Sequence, residues 1–444
     1  MTVILDALCG LANTTNAPKL LLSTDFRSAV SLGSPVMINS TQYRWNPTGV
    51  DAGSGFNIAT AFNEVWGNQT SCFVQALPVA AVTDSADLLT NMTATIQATT
   101  ISGDPSAKEI ALRLIKRNDS PAFVLNPQIS FQYFRQPQDY PSNTILPSPV
   151  DELYWSVDQL IDTNLSALST VAGNYNVISE FKTGGCRISY PSGTYSSSLG
   201  SYRMIVLLQK DSGGNFTIVT SLDNDANGYG VVPTGENAKT GFYFAPFTTS
   251  SRQISVGDTV KGRTSGTTGT VQFSELRTGT WGASGKGVLV ITNGGDAFNQ
   301  SEVLQIQVAG VWTDAATLNG CFNGFENRRL SNFEEKYRHT VYSLGTSPLG
   351  GKYRFEFYFK RPVGGRTDIT TGITRVWMTD LQTGVRTMIA EFIGGIQHGA
   401  IEDPLTRFIP FTCYTELINS GSSSIDITTK VTDFRVYDTY PFAA

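Results

Sequence analysis

Apolar and polar side chains alternate with a period of two along much of the chain. The clearest segment is 352–360, in which Tyr353, Phe355, Phe357 and Phe359 share one face and polar or charged residues share the other. This alternation is typical of a strand with one face on a core. The same pattern predicts strands over 93–101, 108–116, 122–134, 202–209, 215–222, 373–380, 385–393 and 425–437.

Turn sequences separate these predicted strands. Asp211-Ser212-Gly213-Gly214, Gln382-Thr383-Gly384 and Ser420-Gly421-Ser422 are examples, and each is rich in residues that favour tight turns. Short helices are predicted only over 58–66, 150–161 and 330–337, and 150–161 also fits a strand. Antiparallel strands with little helix between them predict an all-β sandwich.

The segment 256–313 differs from its flanks because short β-rich runs over 258–261, 269–273, 287–292 and 302–308 alternate with Gly and Thr turns. Strand-like sequence resumes after Arg328, which predicts a small β-barrel or β-sandwich inserted in a loop of a larger sandwich. The predicted organisation is an N-terminal arm over 1–22, a sandwich over 23–249 and 326–444, as one sandwich or two packed ones, and an inserted domain over 250–325.

Composition narrows the possible partners. Charged residues make up 16% of the 444 residues, below the roughly 25% of typical soluble domains, and the net charge is −5. Lys and Arg form no block, so a nucleic-acid partner is not expected. The sequence has no apolar run long enough to span a bilayer and no signal-peptide pattern at its start, so neither membrane insertion nor Sec export is expected. The five widely spaced cysteines predict reduced, buried thiols.

The inserted segment resembles a small β-domain of tailed-bacteriophage structural proteins. The shared pattern, G-D-x-V-x-G-x-T-S-G-x-x-G-x-V, is carried by Gly257, Asp258, Val260, Gly262, Thr264, Ser265, Gly266, Gly269 and Val271. A G-x-L-V strand follows at Gly287, Leu289 and Val290, and then Phe298 and the Glu302-Val303-Leu304 strand. The resemblance covers about an eighth of the chain and implies a virion building block.

A second resemblance, at the C-terminal end, is to concanavalin-like and laminin-G-like jelly rolls. The segment 433–438 resembles their closing strand, and the hairpin over 372–384 resembles their W-x-D-G hairpin, with Leu381 in place of the glycine. In that family the last strand pairs with one from the beginning of the domain. The resemblance therefore implies a jelly-roll, concanavalin-like fold in which 23–30 pairs with the closing strand.

Concanavalin-like sandwiches include polysaccharide lyases, so an enzyme is the alternative hypothesis. Such lyases use an Arg, an amide and a Tyr or His to stabilise and form an enolate-like intermediate. Segments 108–113, 396–398 and 358–360 resemble the lyase strands R-x-E-L-R, Q-I-H and Y-F-K. Their order along the chain differs from that of the lyases, because Q-I-H here follows Y-F-K.

Other chemistry finds little support in the sequence. Of the two histidines, His339 is predicted at a solvated helix end and His398 in a turn, so neither a zinc site nor a Ser-His-Asp triad is expected. The carboxylate pairs are predicted to be solvated turn or cap residues. Asp223 to Gly228 predicts an Asx-rich hairpin turn, with a calcium loop as the alternative, and no metal or cofactor is expected.

The sequence thus predicts a non-enzymatic structural protein of a phage virion, in a tail fibre, on the tail surface, or in a capsid fibre or decoration. Its predicted partners are other virion proteins, copies of itself and host-surface polysaccharide. Predicted sugar-binding residues are Tyr358, Lys360, Trp377, Gln397 and His398, with Trp281 and Trp312 also eligible as stacking rings. The alternatives are a phage-borne polysaccharide depolymerase, lyase or hydrolase, and a cellular lectin exported by a non-classical route.

Overall fold

A computed structural model describes the protein over residues 18–27, 31–34, 36–39, 42–44, 48–50, 65–66, 69–70, 72–78, 92–116, 125–134, 152–168, 175–186, 201–224, 242–293, 298–323, 335–345, 348–360, 373–393, 407–416 and 425–442. These residues form antiparallel sheets, and their one helical turn is a 3-10 helix at Thr163–Ala167. None of them belongs to a helix with the length and apolarity needed to cross a membrane.

The first sheet joins strands from both ends of the chain in the order β24-β23-β22-β10-β26-β8-β7, and β1 also pairs with β26. The strands are β1 (Leu20–Thr24), β7 (Met92–Ala98), β8 (Lys108–Lys116), β10 (Glu152–Leu160), β22 (Lys352–Lys360), β23 (Ile373–Asp380), β24 (Arg386–Ile393) and β26 (Ile425–Tyr437). The β1–β26 pair places Ser23 opposite Arg435, so a strand from the beginning of the chain does pair with the closing strand. That strand spans Leu20–Thr24, so it begins before the predicted segment 23–30 and ends at Thr24.

The second sheet has the order β2-β3-β6-β9-β25-β11-β12-β13-β21. Its strands are β2 (Val36–Asn39), β3 (Gln42–Arg44), β6 (Cys72–Pro78), β9 (Leu125–Phe134), β11 (Tyr175–Cys186), β12 (Ser201–Asp211), β13 (Phe216–Asn224), β21 (Glu335–Gly345) and β25 (Arg407–Glu416). A separate two-stranded ribbon is formed by β4 (Val65–Trp66) and β5 (Gln69–Thr70).

The first two sheets face each other across an aromatic core. Phe181 of the second sheet lies with its ring centroid 5.1 Å from that of Phe355 and 5.0 Å from that of Phe357. Trp155 stacks on Phe357 at 4.6 Å. All four rings are almost completely buried, and burial of large apolar side chains is the main favourable contribution to folding. The arrangement is therefore a β-sandwich, and the predicted all-β sandwich class is confirmed.

The third sheet draws its strands from one continuous stretch and has the order β17-β16-β15-β18-β19-β14-β20. The chain leaves the second sheet after β13 and returns through β21, which pairs with β13. Arg375 of the first sheet and Glu275 of the third form an ion pair of 2.7 Å. The strands are β14 (Phe242–Ser250), β15 (Thr259–Gly262), β16 (Thr268–Thr278), β17 (Lys286–Thr292), β18 (Val303–Val308), β19 (Val311–Leu318) and β20 (Phe322–Asn323).

The glycine-rich motif of the third sheet is organised around the carboxylate of Glu302. It accepts hydrogen bonds from the backbone N–H groups of Thr264 and Ser265, each 3.0 Å long, from Ser265 Oγ at 2.8 Å and from Asn299 N at 2.6 Å. A side chain at Gly262 would lie 2.5 Å from the Glu302 oxygens, so that position has room only for hydrogen. The motif residues therefore fix the turn over 262–267 by hydrogen bonds to the buried carboxylate of Glu302.

Some local predictions were wrong. Residues 152–160 form strand β10, so the strand alternative for 150–161 is correct and the helix alternative is not. Residues 335–337 begin strand β21, which also contains His339, so the predicted helix over 330–337 and its solvated end at His339 are wrong where the structure describes them. Both segments lie in sheets because pairing with distant strands overrides local helix propensity. Of 58–66, the structure describes only Val65–Trp66, which is a strand.

Candidate functional site: an arginine-lined cleft on the first sheet

Polar side chains converge on the face of the first sheet that points away from the second sheet. In the strand register, Ser156 of β10 lies opposite Glu356 of β22 and Arg435 of β26, and Asp158 lies opposite Arg354. Because side chains alternate between faces, these residues share the face opposite Trp155 and Phe357. Pairing between strands about 200 residues apart along the chain thus gathers the charged groups in one place.

Of these polar residues, all but Asp158 line a cleft of about 270 Å3, which we call the arginine cleft. Three guanidinium groups and one carboxylate contribute to its wall, together with hydroxyl groups and aromatic rings. Its lining residues are Tyr154, Ser156, Arg354, Glu356, Thr379, Arg386, Arg435, Tyr437 and Phe442.

Each arginine of the cleft is held by a carboxylate along one edge of its guanidinium group. Arg354 donates from Nε and Nη2 to Asp158 at 2.6 and 2.9 Å, and Nη2 also contacts Asp433 at 2.5 Å. Arg386 makes the same two-point contact with Glu356 at 2.9 and 3.0 Å. Arg435 does so with Asp433 at 2.9 Å for both bonds. Such paired contacts fix the plane of a guanidinium group.

A bulge in β26 supplies the shared carboxylate. The register of β26 on β10 shifts between Ser156 and Asp158, and Asp433 there has a φ of 51°. A non-glycine residue in this left-handed region costs free energy, and such residues are found where structure or function requires them. Here the bulge places the Asp433 carboxylate between Arg354 and Arg435, bridging the two.

The tyrosines of this face are poor proton acceptors. Burial, with the nearby Glu356 carboxylate, raises the pKa of Tyr154, whose hydroxyl donates to Glu356 at 2.7 Å. Burial and a 2.6 Å hydrogen bond to Glu152 raise the pKa of Tyr358 in the same way. A tyrosine that removes a proton must itself lose its proton readily. Tyr154 and Tyr358 are tuned in the opposite direction.

Asp158 is the most deeply buried acid of the cluster. Burial raises its pKa to about 6, although its hydrogen bonds to Arg354 act in the opposite direction. Removing a carboxylate from water disfavours its charged form. Here this effect on the pKa is larger than the opposite effect of Arg354, which stabilises the charged form. Asp158 is therefore expected to take up a proton at mildly acidic pH.

We expect Asp158→Asn to change how stability depends on pH. Because the folded-state pKa lies above the unfolded value, the stabilising contribution of Asp158 is fully present below about pH 4 and is lost as pH rises through about 6, a change of about 2–3 kcal/mol. Thermal unfolding between these pH values should therefore show wild type losing stability relative to the variant as pH rises.

Asp426→Asn is the matched control for that experiment, because the Arg113 side chain lowers the pKa of Asp426. The control should show the opposite slope, with wild type losing stability relative to the variant as pH falls. Parallel curves for wild type and Asp158→Asn would contradict the account of Asp158.

The structure places three of the five predicted sugar-binding residues. Tyr358 and Trp377 belong to one aromatic cluster with Tyr154, and only 6% and 5% of their surfaces are exposed. Tyr440 covers both, with ring centroids 5.3 Å from Tyr358 and 5.4 Å from Trp377. In this arrangement neither ring is open for a sugar to stack on.

Lys360, half-buried, ends β22 opposite Glu152. Gln397 and His398 lie outside the described residues, as do residues 225–228 of the predicted Asx-rich turn. Sugar binding by the predicted set stays a prediction.

The described residues that resemble lyase strands do not converge. Tyr358 lies level with Tyr154 and Tyr437, whereas Arg113 of β8 lies opposite Thr428 of β26. Tyr437 and Thr428 are nine residues apart along β26, which corresponds to roughly 30 Å at the rise of a strand. Arg113 is instead paired with Asp426 through a contact of 2.5 Å. An arginine at this position does not reach a substrate held at Tyr358.

The sequence analysis missed the arginines of the cleft. A usable signal was present, since Arg354 and Glu356 occupy the polar face of the clearest predicted strand, and Arg435 lies in the closing strand. What the sequence lacked was the register that joins these strands. Among the described residues, no group of three or more His, Cys, Asp or Glu side chains is placed to hold a metal ion.

Among the cysteines, the structure describes the side chain of Cys321 as a free, buried thiol whose pKa burial raises to about 12.

The fold defines the class of the chain as an all-β sandwich protein. Comparison with solved structures finds matches of low similarity, three of which are alginate lyase structures. The marine PL-14 alginate lyase from Aplysia kurodai is 9% identical with a TM-score of 0.30, covering 77% of this chain and 86% of its own. Alginate lyase Aly36B is 11% identical with a TM-score of 0.29, covering 82% and 96%. A mutant of Aly36B in complex with alginate trisaccharide is 10% identical with a TM-score of 0.29, covering 84% and 95%.

No protein-family model matches the chain, and no curated protein matches it. At these TM-scores the likeness to the lyases does not decide between an enzyme and a binding protein.

Proposed function

We propose that the chain is a non-enzymatic structural protein of a tailed-phage particle, which assembles with copies of itself or other virion proteins and binds glycans on the host surface. The observation that carries the proposal is the construction of the third sheet. The positions that resemble the phage domain, including Gly262, Ser265 and Glu302, are those that hold its turn together. The resemblance therefore rests on interacting residues and not on composition alone.

The chemistry of the arginine cleft supports binding over catalysis. The carboxylates Asp158, Glu356 and Asp433 are already engaged by arginines, and Tyr154 donates its hydrogen bond to one of them. A general base must be free to accept a proton from the substrate. A face in which the acidic and basic side chains are paired with one another suits a rigid binding surface. Repeated copies of this face on a particle would give high overall avidity even if each sugar contact is weak.

The proposal is tested by locating the chain. Antibodies raised against the full-length protein should label particles purified from the phage sample that carries its gene, at a regular position on the tail or capsid. Mass spectrometry of the same particles should detect the chain. If the protein occurs only in the soluble fraction of the lysate and never with particles, the virion assignment is wrong, and a free depolymerase or a cellular lectin takes its place.

A further inference from the structure

We infer that the arginine cleft binds an anionic sugar, meaning a sugar ring that carries a carboxylate or a sulfate group. This inference rests on the proposed glycan-binding function and names the class of glycan. Three guanidinium groups face one carboxylate, that of Glu356, in the wall of the cleft. The carboxylates of Asp158 and Asp433 do not line the cleft, so three guanidinium groups and one carboxylate face a ligand.

The arginines keep donors available for a ligand. Their carboxylate partners occupy the Nε and Nη2 side of Arg354, Arg386 and Arg435, and the Nη1 atoms make no hydrogen bond to other described residues. Arg435 is the most accessible of the three, with 42% of its side chain exposed. A guanidinium group already oriented by a carboxylate loses little conformational freedom when it binds an oxyanion.

The rest of the lining suits a sugar ring. Tyr437 and the half-exposed Phe442 provide apolar surface, and the cation of Arg386 lies 5.6 Å from the Phe442 ring centroid. Ser156 and Thr379 add hydroxyl groups that can pair with sugar hydroxyls. A few polar groups placed among aromatic rings are typical of a small-ligand site.

Arg435 is the residue to change. Removing Arg386 would leave the buried Glu356 without its arginine, which is costly to the fold, whereas Asp433 keeps Arg354 when Arg435 is removed. Arg113→Gln is the matched control. Arg113 lies on the same sheet, is 48% exposed and makes the same two-point contact with an aspartate. It is distant from the cleft, because it lies opposite Thr428, seven residues from Arg435 along β26.

The test measures binding of the full-length chain to three oligosaccharides of equal length by titration calorimetry: an oligouronate, a sulfated neutral-sugar oligomer and the same neutral sugar without sulfate. We expect an anionic oligomer to bind and the neutral one to bind about tenfold more weakly or not at all. Whichever anion binds better identifies the charged group. Affinity should fall with added salt, because much of the attraction is electrostatic.

Arg435→Gln should weaken anionic binding about tenfold or more, Arg435→Lys should restore part of it, and Arg113→Gln should leave it unchanged. Unfolding midpoints confirm that each variant is folded. Equal binding of neutral and anionic oligomers, or full affinity in folded Arg435→Gln, would overturn the assignment of the cleft. Either result would leave particle association, which tests the proposed function, unaffected.

Discussion

Replacing Phe357 with alanine is expected to lower the free energy of unfolding by about 4 kcal/mol, the range measured when a buried aromatic is truncated in a packed core. Phe357 is fully buried, stacks on Trp155 and contacts Phe181 of the opposite sheet. Its removal would leave a cavity at the point where the two sheets meet. Chemical denaturation monitored by tryptophan fluorescence measures the loss.

Phe442→Ala is the control of the same residue type. Phe442 is 53% exposed, so its truncation should cost less than about 1 kcal/mol. If both variants lose similar stability, the aromatic cluster between the sheets is not the core of the sandwich, and the packing described for the first two sheets is wrong.

Replacing Glu302 with alanine should destabilise the third sheet by about 4 kcal/mol, since hydrogen bonds to a buried charged group contribute roughly 1.5–3 kcal/mol each and only some would be replaced by water. Burial acts to raise the pKa of Glu302, but the hydrogen bonds from Ser265, Asn299 and Thr264 outweigh it and lower the pKa. The acid therefore remains charged in its site. Hydrogen exchange at the 262–267 turn should rise sharply in the variant.

Two further variants make that experiment specific. Glu302→Gln keeps the shape but loses the charge, so it should fall between wild type and Glu302→Ala. Gln307→Ala changes an exposed residue of β18, which begins directly after Glu302, and should have little effect. Unchanged exchange at the turn in Glu302→Ala would show that the motif is held by something other than this carboxylate.

The strands most accurately predicted from sequence are those in which apolar and polar residues alternate or in which clear turn residues mark the ends. Residues 108–116, 352–360, 373–380 and 425–437 form strands with the predicted bounds. Strand β10 was ambiguous because apolar residues run together at Leu153, Tyr154 and Trp155, and Leu153 to Gln159 are all buried. A strand buried on both faces loses the alternation on which the sequence prediction depends.

The arginine cleft could not be predicted because it depends on long-range register. Tyr154 meets Glu356, and Arg354 meets Asp433, only because β10, β22 and β26 pair in one particular alignment. A shift by one residue would turn each of these side chains to the other face. The bulge at Asp433 is a further local irregularity, which the alternating sequence pattern of β26 does not predict. Likewise, the closure of Tyr440 over Tyr358 and Trp377 is set by tertiary contacts.

We propose that the outer face of the first sheet binds glycan without cleaving it. The most direct measurement is prolonged incubation of the full-length protein with a polyuronate, following the ultraviolet absorbance of unsaturated uronate ends and the formation of reducing ends, alongside a binding titration. We predict saturable binding with neither product. A steady rise in unsaturated ends that Tyr154→Phe abolishes would contradict the account, because it would make that tyrosine a catalytic base.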